Sequence, residues 1–314
     1  MDTYGFPKTA YSHLDAIPKK IKLEDELPTL IDETRENVHG EEEPYLIFNN
    51  VGAWPVQRTA DRKQDAVYIE VWPPYDRYAS IAQLIRDART YAKDDKSTIL
   101  AAYLKPFREG KREKALPAAK LLMGSIVSNG ATHLLTGENQ TALTQGYYSD
   151  YTKFSDSEAE AIRRYYDYMI RYENLFFDPE LQDVTMTHTG WDNYEYQCTN
   201  HKVSSYGEAG KIWMILREKD YRKCIYLLNL CGQSEDYWNE GKEEPNIQKD
   251  IKFTVQVDTP VEKICFSTPD GENMDAIELS FTERATKTGK FIDFTVPSLN
   301  YWTTIWIDTR KETI

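Results

Sequence analysis

The stretch Ala66-Val-Tyr-Ile-Glu-Val71, followed by Trp72-Pro-Pro74, contains the pattern on which the fold depends. A short run of apolar and β-branched residues that ends at two prolines predicts a buried strand. Runs of the same kind occur at 45–51 (YLIFNNV), 97–104 (STILAAYL) and 131–136 (ATHLLT). Near-continuous hydrophobicity over so few residues is typical of parallel strands that are covered on both faces.

Helical patterns separate these runs. Residues 78–92 place apolar side chains on one face at helical spacing, and residues 116–129 do the same. Ser155 and Glu158 have the spacing of a capping box that opens a further helix. Residues 23–37 are also helical in pattern and would follow an earlier strand. A succession of β/α units predicts a parallel sheet, either open or closed into a barrel, and four such units are half of a (β/α)8 barrel.

The pattern changes after about residue 180, where short β-branched or aromatic runs follow one another. These runs are 212–217, 224–230, 251–257, 261–267, 276–281, 291–296 and 301–307. Turn signals such as Pro269-Asp-Gly271 separate them, as in an antiparallel sandwich. The predicted fold class is therefore α/β plus all-β: residues 1–180 form the second half of a (β/α)8 barrel, and residues 181–314 form an antiparallel β-sandwich. The boundary is expected between Phe177 and Trp191.

The composition excludes several classes of function. The chain has 314 residues, of which 40% are hydrophobic and 28% charged, as in an ordinary soluble globular protein. Its net charge of −13 argues against a nucleic-acid partner, because phosphate binding needs a clustered basic surface. No apolar stretch reaches the roughly 20 residues of a membrane span. No basic region followed by an apolar one marks a leader, so a cytoplasmic location is expected for the sequence as it stands.

Motifs for metal and cofactor chemistry are absent from the sequence. The 5 histidines show no HExxH spacing, and the 4 cysteines form no CxxC pair. Neither a GxSxG nucleophile motif nor a GxxxxGK or GxGxxG phosphate loop occurs. The sequence therefore predicts neither a metal site nor a cofactor.

Two carboxylates are the candidate catalytic residues. Glu70 stands near the end of its predicted strand, where side chains of a barrel point into the active-site mouth. Ile69, Val71 and Trp72 surround it, and the partial desolvation that they cause suits a general acid. A glutamate that is ion-paired at a strand end is the alternative. Asp2 lies at the start of the chain, and its neighbourhood alone is equally typical of a terminal tail.

Further polar and aromatic residues are candidates for binding a sugar. They are the amides Asn49, Asn50 and Asn139, the ionisable residues His133 and Glu138, and the aromatic residues Trp54, Trp72, Tyr75 and Tyr103. Amides and carboxylates can hydrogen-bond sugar hydroxyls, and aromatic faces can stack on sugar rings. Turn formation for the asparagines and packing for the others remain the alternatives.

Several segments occur in a set order along the chain. They are Met1-Asp-Thr-Tyr-Gly5, Asn49-Asn-Val-Gly52, Val67-Tyr-Ile-Glu-Val-Trp72, Ile99-Leu-Ala-Ala-Tyr-Leu104 and His133-Leu-Leu-Thr-Gly-Glu138, followed by Gly210-Lys-Ile-Trp-Met-Ile215 and Asn300-Tyr-Trp302. This ordered set resembles glycoside hydrolase family 66, which contains endo-dextranases and cycloisomaltooligosaccharide glucanotransferases. The resemblance covers essentially the whole chain and is strongest over residues 44–107.

The resemblance implies a retaining reaction on α-1,6-linked glucan, that is dextran and isomaltooligosaccharides, without a cofactor. The family's nucleophile falls on Asp2, and its acid/base residue falls on Glu70. Retention requires the two carboxyl groups to lie about 5 Å apart. An endo-acting dextranase is therefore expected. The alternatives are a cycloisomaltooligosaccharide glucanotransferase and an inactive fragment that binds glucan.

Two departures from the family pattern affect these expectations. The glucanotransferases carry a carbohydrate-binding module inside the barrel, and the short connection between residues 104 and 131 has no room for it, which favours a hydrolase. Family members also carry a β-sandwich and the first barrel strands ahead of the nucleophile. The chain is therefore expected to be truncated at the fourth strand, with an open sheet edge as a candidate surface for self-association. The family is typically secreted or attached to the cell surface.

Overall fold

The computed structural model describes residues 1–310 except 3–4, 15, 40–43, 94–95, 147–151 and 191. Thr3 and Tyr4 of the first motif, and Trp191 at the expected boundary, thus lie outside the described residues. The chain begins with an antiparallel hairpin of β1 (Thr9–Ser12) and β2 (Lys19–Lys22), which leads directly into helix α1 (Leu23–Asn37).

A parallel sheet forms the centre of the first half. Its strands, listed in chain order, are β3 (Ile47–Val51), β4 (Ala66–Glu70), β5 (Ser97–Ala101) and β6 (Ala131–His133). Each strand pairs in parallel with the next one along the chain. The helices that connect them are α2 (Val56–Thr59), α3 (Tyr78–Ala92) and α4 (Ala115–Ser128). The predicted parallel sheet is confirmed, although its strands end earlier than the apolar runs do.

The two faces of this sheet differ because successive side chains of a strand point to opposite sides. One face carries Phe48, Val67, Ile69 and Leu100, each fully buried at 0% exposure. These side chains pack against the apolar faces of α1, α3 and α4. The opposite face, which includes Asn49 and other polar residues, is only partly buried. This second face is therefore the one that is available to a ligand.

Short elements follow the parallel sheet. The strands β7 (Thr136–Gly137), β8 (Thr141–Ala142) and β9 (Thr152–Lys153) form a small antiparallel sheet. Helix α5 (Asp156–Arg171) opens with the predicted capping box, since Ser155 and Glu158 exchange side-chain and backbone hydrogen bonds. Helix α6 (Glu173–Phe176) follows at once. Single 3-10 turns lie at Lys105–Phe107, Arg112–Lys114 and Glu138–Gln140.

The second half is built from sheets that are antiparallel except for one short pairing, as in a β-sandwich. Its strands are β10 (Gln182–Asp183), β11 (Tyr196–Cys198), β12 (Val203–Ser204), β13 (Ile212–Lys219), β14 (Arg222–Asn229), β15 (Gln248–Val257), β16 (Val261–Ser267), β17 (Ile277–Glu278), β18 (Phe281–Thr286), β19 (Gly289–Leu299) and β20 (Trp302–Thr309). One sheet has the order β10-β13-β14-β20-β16-β17, with β12 paired in parallel with β13, and the other has the order β11-β15-β19-β18. Their inner faces share one apolar core. The prediction of a single strand at 276–281 was wrong, because this range includes β17 and the start of β18, which lie in different sheets.

The larger of these sheets is buried on both faces. Its outer face packs on α4, α5 and α6 through aromatic side chains. The indole of Trp302 lies with its ring centroid 5.0 Å from that of Tyr168 and 5.2 Å from that of Phe176. A Cβ on Gly124 of α4 would come within 3.1 Å of the same indole, so the helix approaches the sheet closely here. Much of the aromatic content of the chain therefore serves this interface.

One loop of the second half reaches back to the parallel sheet. We call residues 233–243, between β14 and β15, the clamp loop. The indole of Trp238 donates to the carbonyl of Tyr75 at 2.6 Å, and the amide of Tyr78 donates to the carbonyl of Asp236 at 3.1 Å. The ammonium of Lys242 is buried beneath the loop and donates to Glu235 at 2.6 Å. The clamp loop therefore fixes the segment that follows β4.

The helices in the described part of the chain are too short or too polar to cross a membrane.

Candidate active site

Glu70 is the last residue of β4 and lies on the partly buried face of the parallel sheet. Val51 of β3 and Ala101 of β5 are its register partners on either side. Because the carboxyl ends of parallel strands meet at one edge, side chains from three strands converge there. Glu70 as a whole is 9% exposed, so it is largely withdrawn from bulk water.

The start of the chain lies along the outer edge of β3. The amino group of Met1 donates to the carbonyl of Ile47 at 2.7 Å, and the amide of Asn49 donates to the carbonyl of Met1 at 2.9 Å. This pair of bonds is the pattern of a parallel ladder. It places Asp2, whose side chain is exposed, beside the carboxyl end of β3.

Asn49 connects the two candidate carboxylates. Its side-chain nitrogen donates to Oδ1 of Asp2 at 2.8 Å and to Oε2 of Glu70 at 3.4 Å. Since both bonds start at one nitrogen, these two oxygens are separated by no more than the two distances combined, about 6 Å. Two carboxyl groups this close can act on the same glycosidic bond, one as a nucleophile and the other as a proton donor.

The other oxygen of Glu70 has different surroundings. The hydroxyl of Tyr103 donates to Oε1 at 2.8 Å, and the Tyr103 ring lies 6.0 Å from the ring of Trp72. Gly146 lies on the same side, because a Cβ there would come within 2.9 Å of Oε1 and 3.0 Å of the Trp72 indole. Burial, and then the nearby Tyr68 and Glu70, raise the pKa of Tyr103 well above its ordinary value. Tyr103 therefore remains a protonated donor.

Two of the predicted binding residues lie on the helix side of the sheet. The amide oxygen of Asn50 accepts from the hydroxyl of Thr59 at 2.6 Å, and its nitrogen donates to the carbonyl of Tyr68 at 2.9 Å. His133 bonds the carbonyl of Ala102 through Nε2 at 2.9 Å. Burial lowers the pKa of His133 to about 4, so its ring is neutral. The structure does not bring these two side chains to the carboxylates.

The remaining predicted residues are spread around the site. Trp54 is partly buried, packs near α1 and has the ammonium of Lys8 at 5.1 Å from its ring. Tyr75 packs against the core beside the clamp loop, as described above. Glu138 and Asn139 are exposed in the turn between β7 and β8. The structure thus gathers Asp2, Asn49, Glu70, Tyr103 and Trp72 at one place, and substrate contact stays a prediction for these residues as for the others.

Two contributions to the site were missed from the sequence. The backbone pairing of Met1 needs the sheet register, which no local pattern provides. Gly146 carries no motif, and only its distance from Glu70 reveals it. Within the ranges that the structure describes, no group of three or more His, Cys, Asp or Glu residues is arranged to hold a metal ion.

Comparison with known proteins extends over nearly the whole chain. The sequence model of glycosyl hydrolase family 66 matches residues 1–306 of this chain. Two cycloisomaltooligosaccharide glucanotransferases of Niallia circulans are 28% identical over 193 residues and 27% identical over 191 residues. Each match covers 60% of this chain but only 19% of the relative, so the matched part is a small share of those proteins.

A solved structure has the same fold. It is a cycloisomaltooligosaccharide glucanotransferase of Paenibacillus sp., complexed with cycloisomaltoheptaose, and it superposes with a TM-score of 0.81 at 15% sequence identity. The superposition covers 92% of this chain and 59% of the solved chain.

Proposed function

This chain belongs to glycosyl hydrolase family 66, and from that membership we propose that it is a retaining, endo-acting hydrolase of α-1,6-glucosidic bonds. The family inferred from the ordered motifs is thereby confirmed, and a glycoside hydrolase-type activity follows from it. The proposed ligands are dextran and isomaltooligosaccharides, which agrees with the glucan chemistry in the names of the relatives.

In the proposed mechanism Asp2 and Glu70 act in turn. A carboxylate oxygen of Asp2 attacks the anomeric carbon, while Glu70 donates its proton to the departing glycosidic oxygen. The bond to the leaving sugar breaks as the bond to Asp2 forms. In the second step Glu70 takes a proton from water, and the resulting oxygen nucleophile displaces Asp2 from the sugar. Both carboxyl groups then return to their starting protonation states.

The bridge through Asn49 is the observation that carries this proposal. It holds Oδ1 of Asp2 and Oε2 of Glu70 within about 6 Å of each other, which is compatible with the roughly 5 Å between the carboxyl groups of retaining pairs.

We also propose that the parallel sheet is the second half of a (β/α)8 barrel. Its strands are neighbours in strict chain order, without the reversal of order that marks an open doubly wound sheet. Among the described residues, helices pack on one face, and the candidate catalytic residue Glu70 projects from the other at a strand end. That is the arrangement of an active site inside a barrel mouth.

A glucanotransferase is the second candidate function, because the curated relatives and the solved structure carry that name. The two activities share the glycosyl-enzyme step and differ in the acceptor, which is water for a hydrolase and a sugar hydroxyl for a transferase. The connection from β5 to β6 consists of two 3-10 turns and α4. It is therefore too short for an inserted binding module, which favours the hydrolase.

The test is turnover of dextran by the protein and by Asp2→Asn, Glu70→Gln and the control Glu160→Gln, whose carboxylate is exposed on α5. The proposal expects reducing ends to appear with the protein and the control, and to be lost with both site variants. Undiminished turnover by Glu70→Gln would refute the assignment. Mass spectrometry of the products separates linear oligosaccharides from cyclic ones, and mainly cyclic products would favour the second candidate. A chain that binds dextran without turnover would be a glucan-binding fragment.

A further inference from the structure

The two oxygens of the Glu70 carboxylate have different hydrogen-bond partners, Tyr103 for Oε1 and Asn49 for Oε2, so they need not play the same part in proton transfer. We propose that Tyr103 is a positioning residue that anchors Oε1, with Gly146 leaving the space for that oxygen, so that Oε2 alone exchanges the proton with the sugar and with water. The inference rests on the proposed function and assigns the proton to one atom of the same site.

Geometry separates the two oxygens. Oε1 accepts the Tyr103 hydroxyl at 2.8 Å and lies against the backbone of Gly146. Oε2 lies 3.4 Å from the Asn49 nitrogen that also binds Asp2. A sugar carbon attacked by Asp2 must lie near that nitrogen. The glycosidic oxygen attached to this carbon is therefore on the side of Oε2.

The Tyr103 bond persists through both steps. Its hydroxyl stays protonated because burial disfavours the phenolate. A carboxylate and the carbonyl oxygen of a carboxylic acid both accept a hydrogen bond, so Oε1 keeps this partner whether or not Glu70 carries a proton. Because the carbonyl oxygen of a carboxylic acid is a better acceptor than its hydroxyl oxygen, this bond favours the proton on Oε2. The proton leaves Oε2 for the glycosidic oxygen when the sugar bond breaks, and a water proton restores it when the bond to Asp2 breaks.

Gly146 and Trp72 complete the enclosure of Oε1. The nearest neighbours of a Cβ at position 146 would be Oε1 of Glu70 and the far edge of the Trp72 indole. Both are ends of side chains, and Trp72 is 37% exposed, so an added methyl group can be accommodated by moving them. Gly146→Ala should therefore leave the fold intact while it displaces Oε1 from the Tyr103 hydroxyl.

Two substrates with different leaving groups test the proposal. Dextran needs a proton on its departing oxygen, whereas fluoride leaves isomaltosyl fluoride without one. We expect Tyr103→Phe and Gly146→Ala to lower kcat/KM for dextran about tenfold or more. For isomaltosyl fluoride, where kcat/KM reports only the first step, we expect a change of less than about twofold. Tyr206→Phe, an exposed tyrosine of the antiparallel half, is the matched control and should change neither value.

The outcomes are distinct. Equal losses on both substrates would show a structural role for Tyr103, and unchanged dextran turnover would show no role, so either overturns the proposal. Glu70→Gln, measured in parallel, tests the proposed function by itself, because full dextran turnover by that variant would remove the acid/base assignment whatever Tyr103 does. A crystal structure of Tyr103→Phe needs no turnover. The proposal expects the carboxylate of Glu70 to rotate away from its present position, and an unmoved carboxylate would overturn it.

Discussion

Replacing Asn49 with leucine keeps the shape of the side chain and removes the nitrogen that bonds both carboxylates. A hydrogen bond to a charged acceptor contributes about 1.5–3 kcal/mol. The bond to Asp2 at 2.8 Å has an ordinary length. The bond to Glu70 at 3.4 Å is long and contributes less than half as much free energy. The bond to Asp2 therefore dominates, and losing about 1.5–3 kcal/mol that holds the nucleophile in place corresponds to a loss of about 10- to 150-fold in kcat.

The assay is the initial rate of dextran cleavage by Asn49→Leu at saturating substrate, with Asn37→Leu as the control. Asn37 is exposed at the end of α1, far along the chain from the site, and its replacement should leave kcat unchanged. A melting temperature close to that of the unmodified protein would exclude a folding defect in Asn49→Leu. A normal kcat in this variant, with Asp2 and Glu70 still required, would refute the bridging role of Asn49.

Three further predictions concern stability and local order. Gly124→Ala would place a methyl group 2.7 Å from a side-chain carbon of Leu228, so overpacking of about 1–3 kcal/mol should exceed the roughly 1 kcal/mol gained in helix propensity, and urea unfolding should show a net loss. Burial opposes ionisation of Glu158, but hydrogen bonds from Arg112 and the capping backbone outweigh it and hold the pKa of Glu158 below its ordinary value. The stabilisation is therefore present at neutral pH and lost as pH falls through the lowered pKa, and Glu158→Gln should flatten the fall in melting temperature below about pH 4.5. Lys242→Met leaves the acceptors beneath the clamp loop without their donor, so hydrogen exchange in residues 233–243 should accelerate, and unchanged protection there would contradict the role given to this lysine.

Regular local patterns were the most predictable part of the fold. Helices α1 and α3 begin and end at the predicted residues, because a sustained 3.6-residue spacing of apolar side chains has one structural solution. The capping box at Ser155 was equally clear, since it depends only on residues three apart. Strand ends were less predictable: β5 ends at Ala101 although its apolar run continues to residue 104, because backbone pairing and not hydrophobicity decides where a strand stops.

The two carboxylates of the candidate site could be predicted from the sequence, but the contacts that position them could not. Adjacent asparagines must point to opposite faces of a strand, but only the register shows that Asn49 faces Glu70 while Asn50 faces α2. Tyr103 was predicted as a stacking platform, and its bond to Glu70 depends on which strands are neighbours. Gly146 matters because a side chain there would meet Oε1 of Glu70, and an isolated glycine gives no sign of this in the sequence. Such contacts are set by tertiary geometry, which a linear pattern does not contain.

The clamp loop has a consequence for engineering by recombination. A chimera that exchanges the antiparallel half for that of a relative would also exchange the partners of Tyr75 and Tyr78, which follow the candidate acid/base residue. A crossover placed between the two halves would therefore alter the contacts of the segment that follows Glu70, even though no residue of the parallel sheet had changed. Libraries of such hybrids should keep residues 75–78 and 233–243 from the same parent.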